Sequence, residues 1–117
     1  MVHEEKKVGK IVEELTMFFF TVGANKMNSG IEKYGNQVKI TFQSNYLPEY
    51  EHLIEVLEEC LNEPKNEGIE DIYWELAGSG DPGESSQLLL VGMMIDEYVM
   101  KKHDNQVSLT LYKELIG

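Results

Sequence analysis

The sequence predicts an α+β fold. It reads as a two-layer α/β sandwich, with a four-stranded mixed or antiparallel sheet made of two hairpins and covered by helices on one face. Three observations predict it. An apolar stripe at steps of three and four runs from Val8 to Val22. Two stretches of alternating apolar and polar residues, around residues 27–44 and 98–112, each contain a turn signal. Between them lie apolar-periodic segments that can supply the cover.

The first helix carries Val8, Ile11, Val12, Leu15, Phe18, Phe19 and Val22 on one stripe, and Gly23 suits its C-terminal cap. Two strands follow. Met27 to Tyr34 has the weaker pattern. Val38 to Ser44 alternates Val38, Ile40 and Phe42 with Lys39, Thr41 and Gln43. Gly35-Asn36 between them is a hairpin turn signal. Pro48 fits a first helical turn, and Tyr50, Leu53, Ile54, Leu57 and Leu61 then form a stripe that Pro64 breaks. A short helix is expected after Asn66, with Ile69, Ile72, Tyr73 and Leu76 inward. The Gly78-Ser79-Gly80 loop leads into Asp81-Pro82-Gly83-Glu84, which reads as a capping box. Leu88 to Ile95 is apolar on all sides and should be the most buried helix. The last hairpin pairs Tyr98–Lys102 with Val107–Tyr112 across His103, Asp104 and Asn105, and turns Val107, Leu109 and Leu111 to the core. No repeat, low-complexity tract or linker divides the chain, so residues 1–117 read as a single domain.

The 117 residues carry 21 acidic and 10 basic side chains, a formal net charge of −11. Such a field repels phosphate backbones and anionic lipid headgroups, which argues against nucleic acid and membrane surfaces as partners. The one cysteine, Cys60, lies in an apolar stripe and cannot form an intrachain disulfide. A reducing, cytoplasmic setting is the expectation, with Cys60 as a packed thiol. No signal peptide is visible, and the apolar run Leu88–Ile95 is too short to span a bilayer.

The order of elements resembles the histidine-kinase-like ATPase (GHKL) superfamily, from about Val8 to Leu111. In that family one helix supplies a Glu and an Asn to magnesium–ATP, and a hairpin ends in an Asp-Gly motif that reads adenine. A Gly-rich loop then cradles phosphates ahead of another helix, and a last hairpin closes the sheet. Here Glu14-Leu15 followed by Gly23-Ala24 resembles the first helix, with Phe18 where the metal-holding Asn would stand. Ile40 to Tyr46 resembles the adenine-reading strand, with Ser44 in place of the Asp and Tyr46 in place of the Gly. Gly78-Ser79-Gly80 and the run Gln87–Asp96 resemble the phosphate loop and its helix.

The resemblance implies ligand positions at Glu14, Ser44, Asn45, Gly78, Ser79, Gly80, Gly83, Ser85 and Ser86. The departures imply that the site has lost ATP. Phe has no oxygen for magnesium. Ser is a shorter and weaker acceptor than Asp. Tyr blocks the close backbone approach that Gly permits. No catalytic residue, metal or cofactor is expected.

The residues leave a second reading open for the loop 78–86. Free N–H groups where a Gly-rich turn meets a helix could bind a nucleotide or a small anion. Alternatively the loop is a flexible turn whose helix is already capped by Asp81, with Glu84 adding negative charge. The acidic set Glu55, Glu58, Glu59, Glu63, Glu67, Glu70, Asp71 and Glu75 reads as a solvated face or as a surface for cations or a basic partner. His3, His52 and His103 are scattered, without ligand spacing. Phe18, Phe19 and Phe20 cannot share one helix face. Phe20, with Tyr46, Tyr73 and Trp74, is a candidate anchor for a protein partner or a second copy, against the alternative of burial under the middle helices. The expectation is a non-catalytic, kinase-like interaction or regulatory domain.

Overall fold

The structure, a computed structural model, describes residues 2–64, 83 and 85–115. In chain order these form α1 (Val2–Thr21), β1 (Met27–Tyr34), β2 (Gln37–Asn45), a 3-10 turn (Pro48–Tyr50), α2 (Glu51–Leu61), α3 (Ser85–Met94), β3 (Glu97–His103) and β4 (Gln106–Glu114). The helix expected after Asn66 and the Gly78-Ser79-Gly80 loop lie outside the described residues.

Helix α1 begins earlier than its apolar stripe, because Glu4 and Lys7 continue its inward side as a buried ion pair. It ends where the sequence expects. Gly23 adopts φ +84°, its N–H donates to the Phe20 carbonyl, and the Ala24 N–H donates to the Phe19 carbonyl. That pair of bonds is a Schellman cap, and the left-handed residue it needs carries no Cβ here. Leu47 then lies directly on Gly23, so the segment after β2 is held against the end of α1.

Both hairpins close through two-residue turns. Gly35 at φ +60° makes the first, with Tyr34 opposite Gln37. Asp104 and Asn105, at φ 49° and 62°, make the second, so His103 joins β3 instead of the turn expected for it. Positive φ at both central residues matches the right-handed twist of the flanking strands, and Asp and Asn tolerate it best after Gly.

The sheet order is β1-β2-β4-β3 and every pairing is antiparallel. The mixed alternative is thereby removed. Register stacks the core into rows: Ile31, Ile40, Leu111 and Tyr98 form one, and Ser29, Phe42, Leu109 and Met100 the next. The central strands β2 and β4 alternate buried and less buried residues along their length, as a sheet covered on one face requires. Helix α1 packs on β1, β2 and α3, and α2 packs on α3. The buried side chains of α1, α2, α3, β2 and β4 form one cluster. Each large apolar side chain buried there contributes roughly 1.5–3 kcal/mol.

Cys60 is the packed thiol that its place in the apolar stripe predicts, while the close approach of α3 to its carbonyl and the exposure of Leu89 do not show in the stripes. Cys60 is buried on the core side of α2, and its carbonyl lies against Gly92 of α3 so closely that no Cβ fits between. Burial, with Glu59 and Glu63 nearby, pushes the Cys60 thiol above its ordinary pKa, as suits a packed thiol. Helix α3 is not buried all round, since Leu89 reaches the surface.

Not every inward position is apolar. Lys113 follows Val107, Leu109 and Leu111 on the inner side of β4 and is fully buried. Its Nζ donates to the Met94 carbonyl, 2.8 Å away at the C-terminus of α3, where helix carbonyls lack intrahelical partners. Glu4 lies between two lysines, with Oε2 2.8 Å from Lys7 Nζ and Oε1 3.7 Å from Lys113 Nζ. This buried cluster ties the start of α1 to the ends of α3 and β4.

Candidate functional site

The sequence directs attention to the space between α1 and the entry to α3. Glu14 leaves α1 at the edge of its apolar stripe and is 1% exposed. Its Oε1 accepts a 2.6 Å hydrogen bond from the Gly83 N–H, and its Oε2 lies 3.0 Å from Lys10 Nζ, one helical turn earlier. Lys10 also donates to Glu13 Oε1 at 2.7 Å. Desolvation draws the Lys10 ammonium down, but its hydrogen bonds to Glu13 and Glu14 outweigh that and hold its pKa above the ordinary value. Lys10 was not singled out from the sequence, although its i, i+4 spacing from Glu14 is the signal that finds it.

Gly83 lies on α1 itself. At φ +87°, a Cβ added there would fall 2.9 Å from the Phe18 backbone nitrogen and 3.1 Å from the Met17 carbonyl carbon. Helix α1 and the turn that enters α3 are therefore in direct contact beside Glu14. Phe18 points inward and is buried. It meets Phe19 edge-on with centroids 5.3 Å apart, and Phe19 stacks on Phe42 of β2 at 5.9 Å. The rings run as a continuous column from the helix to the sheet, and such pairs add to the area they bury.

The other candidates do different work. Ser44 is buried at the end of β2 and its Oγ donates to the Asn45 carbonyl at 2.8 Å. Asn45 Oδ1 accepts from the Asn25 and Lys26 N–H groups at 3.0 and 3.3 Å, and its Nδ2 donates to Asn25 Oδ1 at 2.6 Å. These bonds clamp the connection between α1 and β1. They do not reach Glu14 or Gly83, so the structure joins Glu14 with Gly83 and gives Ser44 and Asn45 separate partners.

Tyr46 is turned into the protein and does not present its ring at the surface. Its hydroxyl donates to Glu51 Oε1 at 2.6 Å, and Lys102 donates to Glu51 Oε2 at 2.8 Å. Desolvation first, then the bond to the Glu51 carboxylate, pushes the phenol up to about 12. Phe20, by contrast, is 57% exposed. Ser85 opens α3 and Ser86 follows it, while Tyr73, Trp74, Gly78, Ser79 and Gly80 lie outside the described residues.

Among the described residues, three shallow cavities lie elsewhere. Two adjoin at one end of the sheet around Gln43, Ser44 and Gln106, with volumes of about 200 and 310 Å³. The third, about 290 Å³, is formed by the ends of α2 and α3 with Tyr98. Glu14, Phe18 and Gly83 line none of these three. Among the described residues no three His, Cys, Asp or Glu side chains gather as a metal site, and no helix is long and apolar enough to cross a membrane. Comparison with protein families, with curated proteins and with solved structures found no match.

Proposed function

We propose that this chain is a non-catalytic interaction or regulatory domain of the histidine-kinase-like ATPase type that has lost ATP binding. The order helix, hairpin, helix, helix, hairpin supports the reading, since it is the order on which the resemblance rests. The observation that carries the loss is the Phe18 column. The position where the resemblance calls for a magnesium-holding oxygen is a buried ring packed on Phe19.

Two further facts support the reading. The Gly83 N–H, which an anion could otherwise use, is bonded to the Glu14 carboxylate. An incoming phosphate would have to displace a carboxylate held by Lys10 as well, and would meet its negative charge if it did not. At the second position, the Ser44 hydroxyl donates to its own neighbour's carbonyl, and Tyr46 fills the place of a bare glycine with a buried ring.

The test is calorimetric titration of the chain with ATP and ADP, each with and without magnesium. No heat of binding is expected. Micromolar affinity for either nucleotide would overturn the proposal and favour a nucleotide- or anion-binding role for residues 78–86.

A further inference from the structure

We infer that the free edge of β1 pairs with the same edge of a second copy of this chain, joining the two sheets into one continuous antiparallel sheet. The inference is independent of whether the chain binds nucleotide.

An edge strand presents unpaired N–H and C=O groups, and proteins that remain monomeric guard such edges with bulges, prolines, shortness or charge. Among the described residues β1 has β2 on one side and no strand on the other. It runs Met27–Tyr34 and pairs with β2 at every position without a bulge, and it contains no proline. The adjacent charges of β1, Glu32 and Lys33, are of opposite sign, whereas the opposite edge, β3, is guarded by like charges. It carries the neighbouring cations Lys101 and Lys102, and Lys102 is held in an ion pair with Glu51.

The turn fixes which groups of β1 face outward. The two-residue loop Gly35-Asn36 makes Tyr34 and Gln37 the closing hydrogen-bonded pair. Alternation then makes Glu32–Lys39, Gly30–Thr41 and Asn28–Gln43 the bonded pairs. Ser29, Ile31 and Lys33 therefore turn their N–H and C=O groups away from the sheet.

The side chains favour one partner and one register. Ile31 stands in the inner row with Ile40 yet is 53% exposed, and among the described residues no strand covers it on the edge side. A two-fold axis normal to the sheet at Ile31 places each Ile31 against its mate, and Ser29, Ile31 and Lys33 then exchange both backbone bonds with Lys33, Ile31 and Ser29 of the other copy. Glu32 falls opposite Gly30, Lys33 opposite Ser29, and Tyr34, 59% exposed, opposite Asn28. No like charges meet. Sliding the axis to Glu32 or Lys33 sets identical charges directly opposite each other, which is destabilising. Sliding it to Gly30 sets Ile31 against Ser29. The edge is thus self-complementary when centred on Ile31.

Sedimentation velocity on the chain at about 0.3 mM tests this, a concentration suited to the weak association of a small interface. A dimer is expected for the native sequence and a monomer for Ile31→Pro. Proline at that position deletes an outward N–H and no hydrogen bond to β2, and the side chain it replaces is more than half exposed, so the melting temperature at low protein concentration should hold within a few degrees. Ile31→Lys, which sets two ammoniums opposite each other, should also be monomeric. Hydrogen exchange adds a local readout. Raising the concentration should slow the amides of Ser29, Ile31 and Lys33, and leave Tyr98, Met100 and Lys102 on the β3 edge unchanged. A native chain that stays monomeric, a dimer that survives both substitutions, or protection that builds on β3 would each overturn the inference.

Discussion

Replacing Gly92 by alanine sets two effects of opposite sign against each other at one helical position. In an open helix the change gains about 1 kcal/mol, because glycine has more backbone freedom to lose on folding. Gly92, however, faces α2. A Cβ there would run into the Cys60 carbonyl oxygen and fall 3.3 Å from the Leu61 Cα, where ordinary contact begins at 3.4 Å. The atoms in the way are backbone, so they cannot rotate aside. The helices must separate, loosening the packing of Leu57, Leu61, Leu88 and Val91. Overpacking of this kind costs about 3 kcal/mol, which leaves a net loss of about 2 kcal/mol after the propensity gain. With an unfolding entropy near 0.25 kcal/mol per kelvin for a chain of this length, the midpoint should fall by about 8 °C in differential scanning calorimetry. Gly9→Ala is the matched control. Gly9 is exposed on α1 with nothing within 4 Å of an added Cβ, and its midpoint should rise by about 4 °C. If Gly92→Ala instead matched Gly9→Ala in sign, the close approach of α2 and α3 would be wrong.

Two further outcomes are expected. Glu4→Ala removes the carboxylate between the buried Lys7 and Lys113 ammoniums and should cost about 3–5 kcal/mol by urea denaturation. Replacing all three by apolar residues of similar size should recover most of that loss, and a triple variant no better than Glu4→Ala would refute the account. Tyr46 gives a pH signature. Its folded pKa of about 12 stands above the unfolded value of about 10, so the folded chain keeps a proton that the unfolded chain releases. The stability it contributes is complete below about pH 10 and is lost as pH rises toward about 12. The stability difference between the native chain and Tyr46→Phe should narrow across that window, and a constant difference would contradict the buried hydroxyl.

The strands and the first helix were legible because their signals are local. Val38, Ile40 and Phe42 alternate within one strand, and Val8 to Val22 repeat within one helix, so each element names its buried side without reference to a partner. The sequence places the last turn one residue too wide: Asp104 and Asn105 tolerate the left-handed conformation that lets two residues close the hairpin, but composition alone does not settle that pairing continues to His103 and Gln106. The candidate site was legible only in part. Glu14 could be singled out, but its partner Gly83 lies 69 residues further along the chain. Tyr46 could be noticed as a large ring, but not that its hydroxyl would find Glu51 and turn it inward.

Periodicity, turn residues and charge by themselves determined a helix-covered sheet of two hairpins with an acidic exterior. Each of those signals is a property of neighbours along the chain, and hydrophobic burial acts on it in the same way wherever the element comes to rest. Tertiary structure alone decided that β2 meets β4, that Gly92 admits the Cys60 carbonyl, and that two lysines share one buried carboxylate. These outcomes depend on distances between residues far apart in the chain, and steric fit and electrostatics at a few ångströms leave no trace in the local pattern.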